Sequence, residues 1–117
     1  MPPTLELLKQ TIVYQDGLRQ DPTQALDLDG YKELALYLNV QNLEPANGSL
    51  TVRVAHSARN RSGDFTELTS WPGLTTAQTS WTYETEFYRY LTLKAEWSSS
   101  ATPAAEADVE LLIVPKK

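Results

Sequence analysis

The chain has 117 residues, a net charge of −5, one histidine and no cysteine. This length suits one domain that hides roughly two-thirds of its unfolded surface; without cysteine, disulfides, thiolate nucleophiles and thiolate metal sites are excluded. The acidic balance, with a pI of about 4.8, argues against a nucleic-acid partner, and with no apolar run near the roughly 20 residues of a membrane helix, no membrane partner is expected either.

The amino-terminal stretch MPPTLELLKQ begins at Met1 and lacks the basic start and apolar core of a signal peptide. It reads as an unprocessed cytoplasmic product, open to later incorporation into a virion or another protein particle. Leu5, Leu7 and Leu8 are apolar near a chain end, so residues 1–10 are read as a candidate terminal arm that could reach a neighbour. TLELLKQ is the sole helical rival in the chain, and it is short. A first strand is expected through KQTIVYQ, and a short one at QALDL with Leu26 and Leu28 inward.

KELALYLNVQ alternates strictly: Leu34, Leu36, Leu38 and Val40 on one side, Glu33, Ala35, Tyr37, Asn39 and Gln41 on the other. That is the period of a strand with one buried face. NLEPANGS follows, and Pro45 with Asn47-Gly48 is strong turn chemistry. The spacing predicts an antiparallel hairpin between strands 33–42 and 49–57. NGS at Asn47 and NRS at Asn60 match the glycosylation pattern, but without a secretion signal they read as turn residues.

In SLTVRVAHS, Leu50, Val52 and Val54 face inward and Arg53 outward, with His56 continuing the inward parity. SARNRSGD then forms a hairpin loop carrying Arg59 and Arg61, before a short strand at DFTEL. SWPG places Trp71 in a turn-rich, exposed loop. TSWTYETEF sets Trp81, Tyr83, Thr85 and Phe87 on core parity, and Tyr88 and Tyr90 fall outward. RYLTLKAEW buries Leu91, Leu93, Ala95 and Trp97; SSSATPAAEA (98–107) is a loop; ADVELLIVP buries Val109, Leu111 and Ile113, and Pro115 ends it.

About eight short strands in this length define an all-β chain. It is expected to form a single two-sheet antiparallel β-sandwich over residues 1–117, jelly-roll-like. The cysteine–tryptophan–cysteine spacing of an immunoglobulin domain is missing.

Little here does chemistry. Catalysis at His56 would need a serine beside it and a carboxylate to orient it, with Ser57 and Asp64 as candidates. Ser57 is adjacent in the strand, so it points to the opposite face, and no G-x-S-x-G stretch exists. The same-face carboxylate pairs Asp27/Asp29, Glu84/Glu86 and Asp108/Glu110 stand at about glycosidase spacing, yet alternating charge is what any solvated strand face carries. DLDG (27–30) is a fragment of a calcium loop without the remaining ligands. No catalytic residue, cofactor or metal site is therefore assigned, and the chain is expected not to be an enzyme. The candidate interaction residues are the outward tyrosines Tyr37, Tyr88 and Tyr90 with Arg59, Arg61 and Trp71, since tyrosine, tryptophan and arginine are the side chains interfaces favour.

The order ELALYLNVQNLEPANGSLTVRVAHSARNRSGDFTEL, YRYLTLKAEW, VELLIVPKK resembles small β-sandwich structural proteins of phage and prophage particles. In that pattern a long strand leads into Leu50, Thr51, Val52, Val54 and Ser57, then a short loop, Asp64 and Phe65, and a later Tyr- and Arg-bearing strand closes the sheet. The resemblance spans about residues 23–114 and carries no functional residue. It implies a non-enzymatic assembly role, such as capsid decoration or a tail-type or other shell accessory subunit, through self-association or contact with a capsid or shell protein. The alternative is a carbohydrate-binding β-sandwich module, with the exposed aromatics as a stacking platform.

Overall fold

Extended segments form nine strands in a computed structural model that describes residues 5–14, 19–20, 25–61 and 63–117. They are β1 (Leu5–Val13), β2 (Arg19–Gln20), β3 (Leu26–Asp27), β4 (Glu33–Glu44), β5 (Leu50–Ser57), β6 (Thr66–Leu74), β7 (Gln78–Glu84), β8 (Tyr90–Trp97) and β9 (Glu106–Lys116). The described residues contain no helix. One sheet has the order β1-β9-β4-β7; the other has β2-β8-β5-β6, with β3 also on β8. β2 meets Glu96 and Ala95 of β8, and β3 meets Leu91 and Tyr90. The two are thus pieces of one interrupted strand position, and the fold has the eight positions of a jelly roll.

The inward residues fill the space between the sheets as their period dictates. Leu34, Leu36, Leu38 and Val40 of β4 meet Leu50, Val52 and Val54 of β5. Leu91, Leu93, Ala95 and Trp97 of β8 and Val109, Leu111 and Ile113 of β9 complete one continuous core.

Three sequence expectations need correction. First, β4 and β5 do not form a hairpin. The turn exists: Ala46 and Asn47 have φ of 48° and 71°, and Gly48 N–H donates to the Pro45 carbonyl at 2.8 Å. But Asn42 takes φ 51° and the β4–β9 register shifts between Gln41 and Glu44. That bulge bends β4 without ending its pairing, which resumes at Glu44↔Glu106, and the turn then delivers β5 to the opposite sheet. Second, Leu5 to Gln10, assigned above to a candidate arm, lie in β1, which pairs with β9 from Leu5↔Ile113 to Val13↔Glu106; residues 1–4 lie outside the described residues. Third, Trp71 is not in an exposed loop. It lies within β6 and is 8% exposed.

The crossing loops are pinned by backbone bonds. Ser98 N–H donates to Ser49 O at 2.8 Å and Thr102 N–H to Ala46 O at 3.1 Å. Near the same end of the first sheet, the Asp108 carboxylate accepts from Thr11 Oγ1 at 2.6 Å and from Asn42 Nδ2 at 2.8 Å. It therefore ties β1 and the β4 bulge to β9, and these bonds hold its pKa below the ordinary carboxylate value.

Candidate binding surface

β7 is built the wrong way round for a core strand. Its inward positions Gln78, Ser80, Thr82 and Glu84 are polar and half-buried, while Trp81 and Tyr83 point outward. Trp81 is 52% exposed and Tyr83 74%. The parity expected from sequence, with Trp81 and Tyr83 in the core, is thus reversed. The reason lies across the sandwich margin. Trp71 of β6 fills the space that a large β7 residue would take, and its indole Nε1–H donates to Ser80 Oγ at 3.2 Å. A small hydroxyl side chain suits that inner position, and the aromatics are left on the other side.

On the outer face, Trp81 lies opposite Tyr37, and Tyr83 opposite Ala35, in the β4–β7 register. The Tyr37 and Trp81 rings meet at 4.7 Å between centroids, tilted by 45°. Trp81 and Tyr83 are nearly parallel, 11° apart, with centroids at 6.4 Å. The same rows continue onto β9, where Leu112 pairs with Tyr37 and Val114 with Ala35. Ala35, Tyr37, Leu112 and Val114 are partly exposed. The result is a strip of aromatic and aliphatic side chains running in from the sheet edge across β7, β4 and β9.

The other candidate residues are dispersed. Tyr37 belongs to the strip. Tyr88, 56% exposed, sits in the β7–β8 connection, and Tyr90 opens β8 in the second sheet with the Arg89 guanidinium over its ring at 5.1 Å. The three tyrosines therefore do not share one face. Arg59 and Arg61 are exposed in the β5–β6 loop, where Arg61 pairs with Asp64 at 3.3 Å. Arg53 is on the outer face of β5, bound to Glu67 and Glu96, so the arginines do not converge. Asp27, in the calcium-like DLDG, is held by a two-pronged bond to Arg89 at 2.9 Å. That bond and the Asp29 N–H lower its pKa to about 2.

His56 pairs with Leu91 on β8 but lies at the open end of the sandwich. It lines a shallow depression with Thr66, Glu86, Phe87 and Tyr88. Its Nδ1 accepts the Tyr88 backbone N–H at 3.1 Å, and the two rings meet at 4.8 Å between centroids, tilted by 37°. Ser57 is buried, and its hydroxyl accepts the Arg59 N–H at 3.0 Å. The histidine thus serves to anchor the β7–β8 connection, and the serine to shape the β5–β6 turn. Burial lowers the His56 pKa, opposed in part by the negative charge of Glu84.

No known protein family matches the chain, and no curated protein matches it in sequence. Among solved structures, the chain is similar to part of infectious bursal disease virus, Gx strain, with a TM-score of 0.56 at 13% identity over 99% of this chain. It spans about a third (32%) of that viral chain. It is also similar to the K1 cleaved adhesin domain of Lys-gingipain from Porphyromonas gingivalis W83, with a TM-score of 0.48 at 13% identity over 98% of this chain and 99% of that one. A family 35 carbohydrate binding module from Clostridium thermocellum follows, at 0.41 and 12%, over 94% of this chain and 97% of the module. At such identities the first likeness supports the β-sandwich fold alone.

Proposed function

We propose that this chain is a non-enzymatic binding module that docks its aromatic sheet face onto a protein surface, as a shell or virion accessory subunit of the capsid-decoration kind. It would be made in the cytoplasm and join its particle there. One observation supports this reading above the rest: the reversed polarity of β7, which leaves Trp81 and Tyr83 in solvent beside Tyr37. A strand that places its large rings outward and Ser80 and Thr82 inward departs from the pattern that stabilises a strand, and such departures concentrate at functional surfaces. Rigid aromatic side chains give up little entropy on binding and supply most of the energy at interface centres. The test is co-sedimentation with particles from the native source. Wild-type chain is expected in the particle fraction, and a folded Trp81→Ser/Tyr83→Ser variant in the supernatant. Equal recovery of both in the particle fraction, or neither, would refute the proposal.

A second reading has its own support. The near-parallel Trp81 and Tyr83 rings, 6.4 Å apart, could stack against successive sugar rings, as aromatic platforms do. Retardation on a polysaccharide affinity gel, abolished by Trp81→Ala, would favour carbohydrate over protein.

A further inference from the structure

We infer that β7 is a self-pairing edge, through which two copies of this chain join their sheets antiparallel about a two-fold axis at Trp81. This rests on the protein-binding reading above and names the partner as a second copy.

The argument starts from the edges of the two sheets, since an unguarded edge strand pairs with whatever extended chain it meets. β1 carries a register shift between Glu6 and Leu8. β2 and β3 offer two residues each. β6 contains Pro72 and Gly73, the latter at φ 65°, and two register shifts against β5. These are the usual protections: bulges, short strands and proline. β7 has none of them. Its register with β4 runs unbroken from Gln78 to Val40 through Glu84 to Leu34, its sequence QTSWTYE has no proline, glycine or lysine, and among the described residues it pairs with β4 alone.

The strand is also complementary to its own reverse. With the axis at Trp81, Trp81 faces Trp81 of the second copy, Ser80 faces Thr82, Thr79 faces Tyr83 and Gln78 faces Glu84. No like charges oppose, and the single carboxylate of each strand meets an amide that can donate to it. On the outer face a continuous ring ladder results, Tyr37–Trp81 of one copy running into Trp81–Tyr37 of the other. Two half-exposed tryptophans and two tyrosines lose water together with one row of backbone groups. A single added strand buries less than a standard interface, so the dimer is weak and concentration-dependent.

Sedimentation equilibrium of the full chain, over concentrations on the order of 1 to 500 μM as suits a small interface, tests this. The weight-average mass is expected to rise from the 13.1 kDa of one chain to twice that. Trp81→Lys sets two ammonium groups opposite each other and is expected to stay at the single-chain mass with an unchanged circular dichroism spectrum. The native chain lacks cysteine, so cross-linking reads the register directly. The double variant Thr79→Cys/Tyr83→Cys should oxidise to a covalent dimer, because opposed residues come within disulfide reach. Thr79→Cys alone should not, since two copies of position 79 lie four positions apart in this register. A wild-type chain that stays monomeric throughout overturns the inference, as do equal cross-linking of the two variants or a dimeric Trp81→Lys. Leu112→Ser separates the two proposals: it alters the outer face away from the β7 edge, so retained particle binding with an intact dimer would count against the protein-docking reading of that face and leave self-pairing standing.

Discussion

Trp81 stands directly across from Tyr37 in the β7–β4 register, their ring centroids 4.7 Å apart, while half of the indole stays in water. Tyr37 thus holds the indole in place without covering it, so that it is presented to solvent as a fixed plate. The three tryptophans then divide cleanly, because Trp71 and Trp97 are buried at 8% and 3%. Acrylamide should quench one emitting component strongly. That component is expected to vanish in Trp81→Phe and to persist in Trp71→Phe. Quenching unchanged in Trp81→Phe would place the indole inside.

Trp71 closes the margin between the sheets, bridging β6 to β7 through its bond to Ser80. Truncating a buried tryptophan leaves a cavity, and Trp71→Ala is expected to cost about 3–5 kcal/mol in chemical denaturation. Ser80→Ala removes only the hydrogen bond and should cost about 1 kcal/mol. Combined, the two should cost less than their sum, since the first already removes the partner of the second.

Most of the core was legible because β4, β5, β8 and β9 are central strands, each buried on one face and wet on the other, and period two reports that contrast directly. The strand at TSWTYETEF misled because it sits at the sandwich margin. There, which face is inner depends on whether a neighbour fills the gap, and Trp71, on β6 of the opposite sheet, does so. Local parity cannot report that. The one available signal was the run Gln78, Ser80, Thr82, Glu84, too polar on one side to be accidental, which leaves the opposite side aromatic. The β4–β5 connection misled for a related reason: turn chemistry at Pro45 to Gly48 specifies a reversal but not the sheet to which the chain returns, and the approach to it is bent by a bulge at Asn42. Asn is tolerant of its positive φ, but nothing in KELALYLNVQNLE marks the position.

Gly48 is where that connection meets the loop after β8. A Cβ there would lie 2.6 Å from the Ala101 backbone N and from Ser98 Oγ. Ser98 can rotate, but the Ala101 backbone is fixed by its bond to the Ser98 carbonyl at 3.1 Å. Gly48→Ala should therefore destabilise by about 1–3 kcal/mol through overpacking, measured as a lowered denaturant midpoint. Gly30 and Gly63 have nothing within 4 Å of a built Cβ, so alanine there meets only the strain of positive φ, and a loss at Gly48 no larger than at those sites would contradict the contact.

His56 gives the fold a dependence on pH near neutrality. Burial holds its pKa below the ordinary 6.5, so folded chains keep the imidazole neutral while unfolded chains protonate it. At pH 8 both states are neutral and the full stability is present. As pH falls through about 6.5 the unfolded state binds a proton that the folded state refuses, and stability declines until the folded pKa is passed. Protonation of Nδ1 also removes the acceptor for the Tyr88 N–H, so the β7–β8 connection should loosen first. The lowered carboxylates act in a separate window: Asp27, at about 2 against an ordinary 3.8, contributes stability above 3.8 that is lost as pH falls towards 2. Urea midpoints between pH 8 and 5 should fall for the wild type and much less for His56→Gln, whose side chain does not titrate. A wild-type midpoint that rises on acidification over that range would mean the histidine is charged in the fold, with its pKa raised instead.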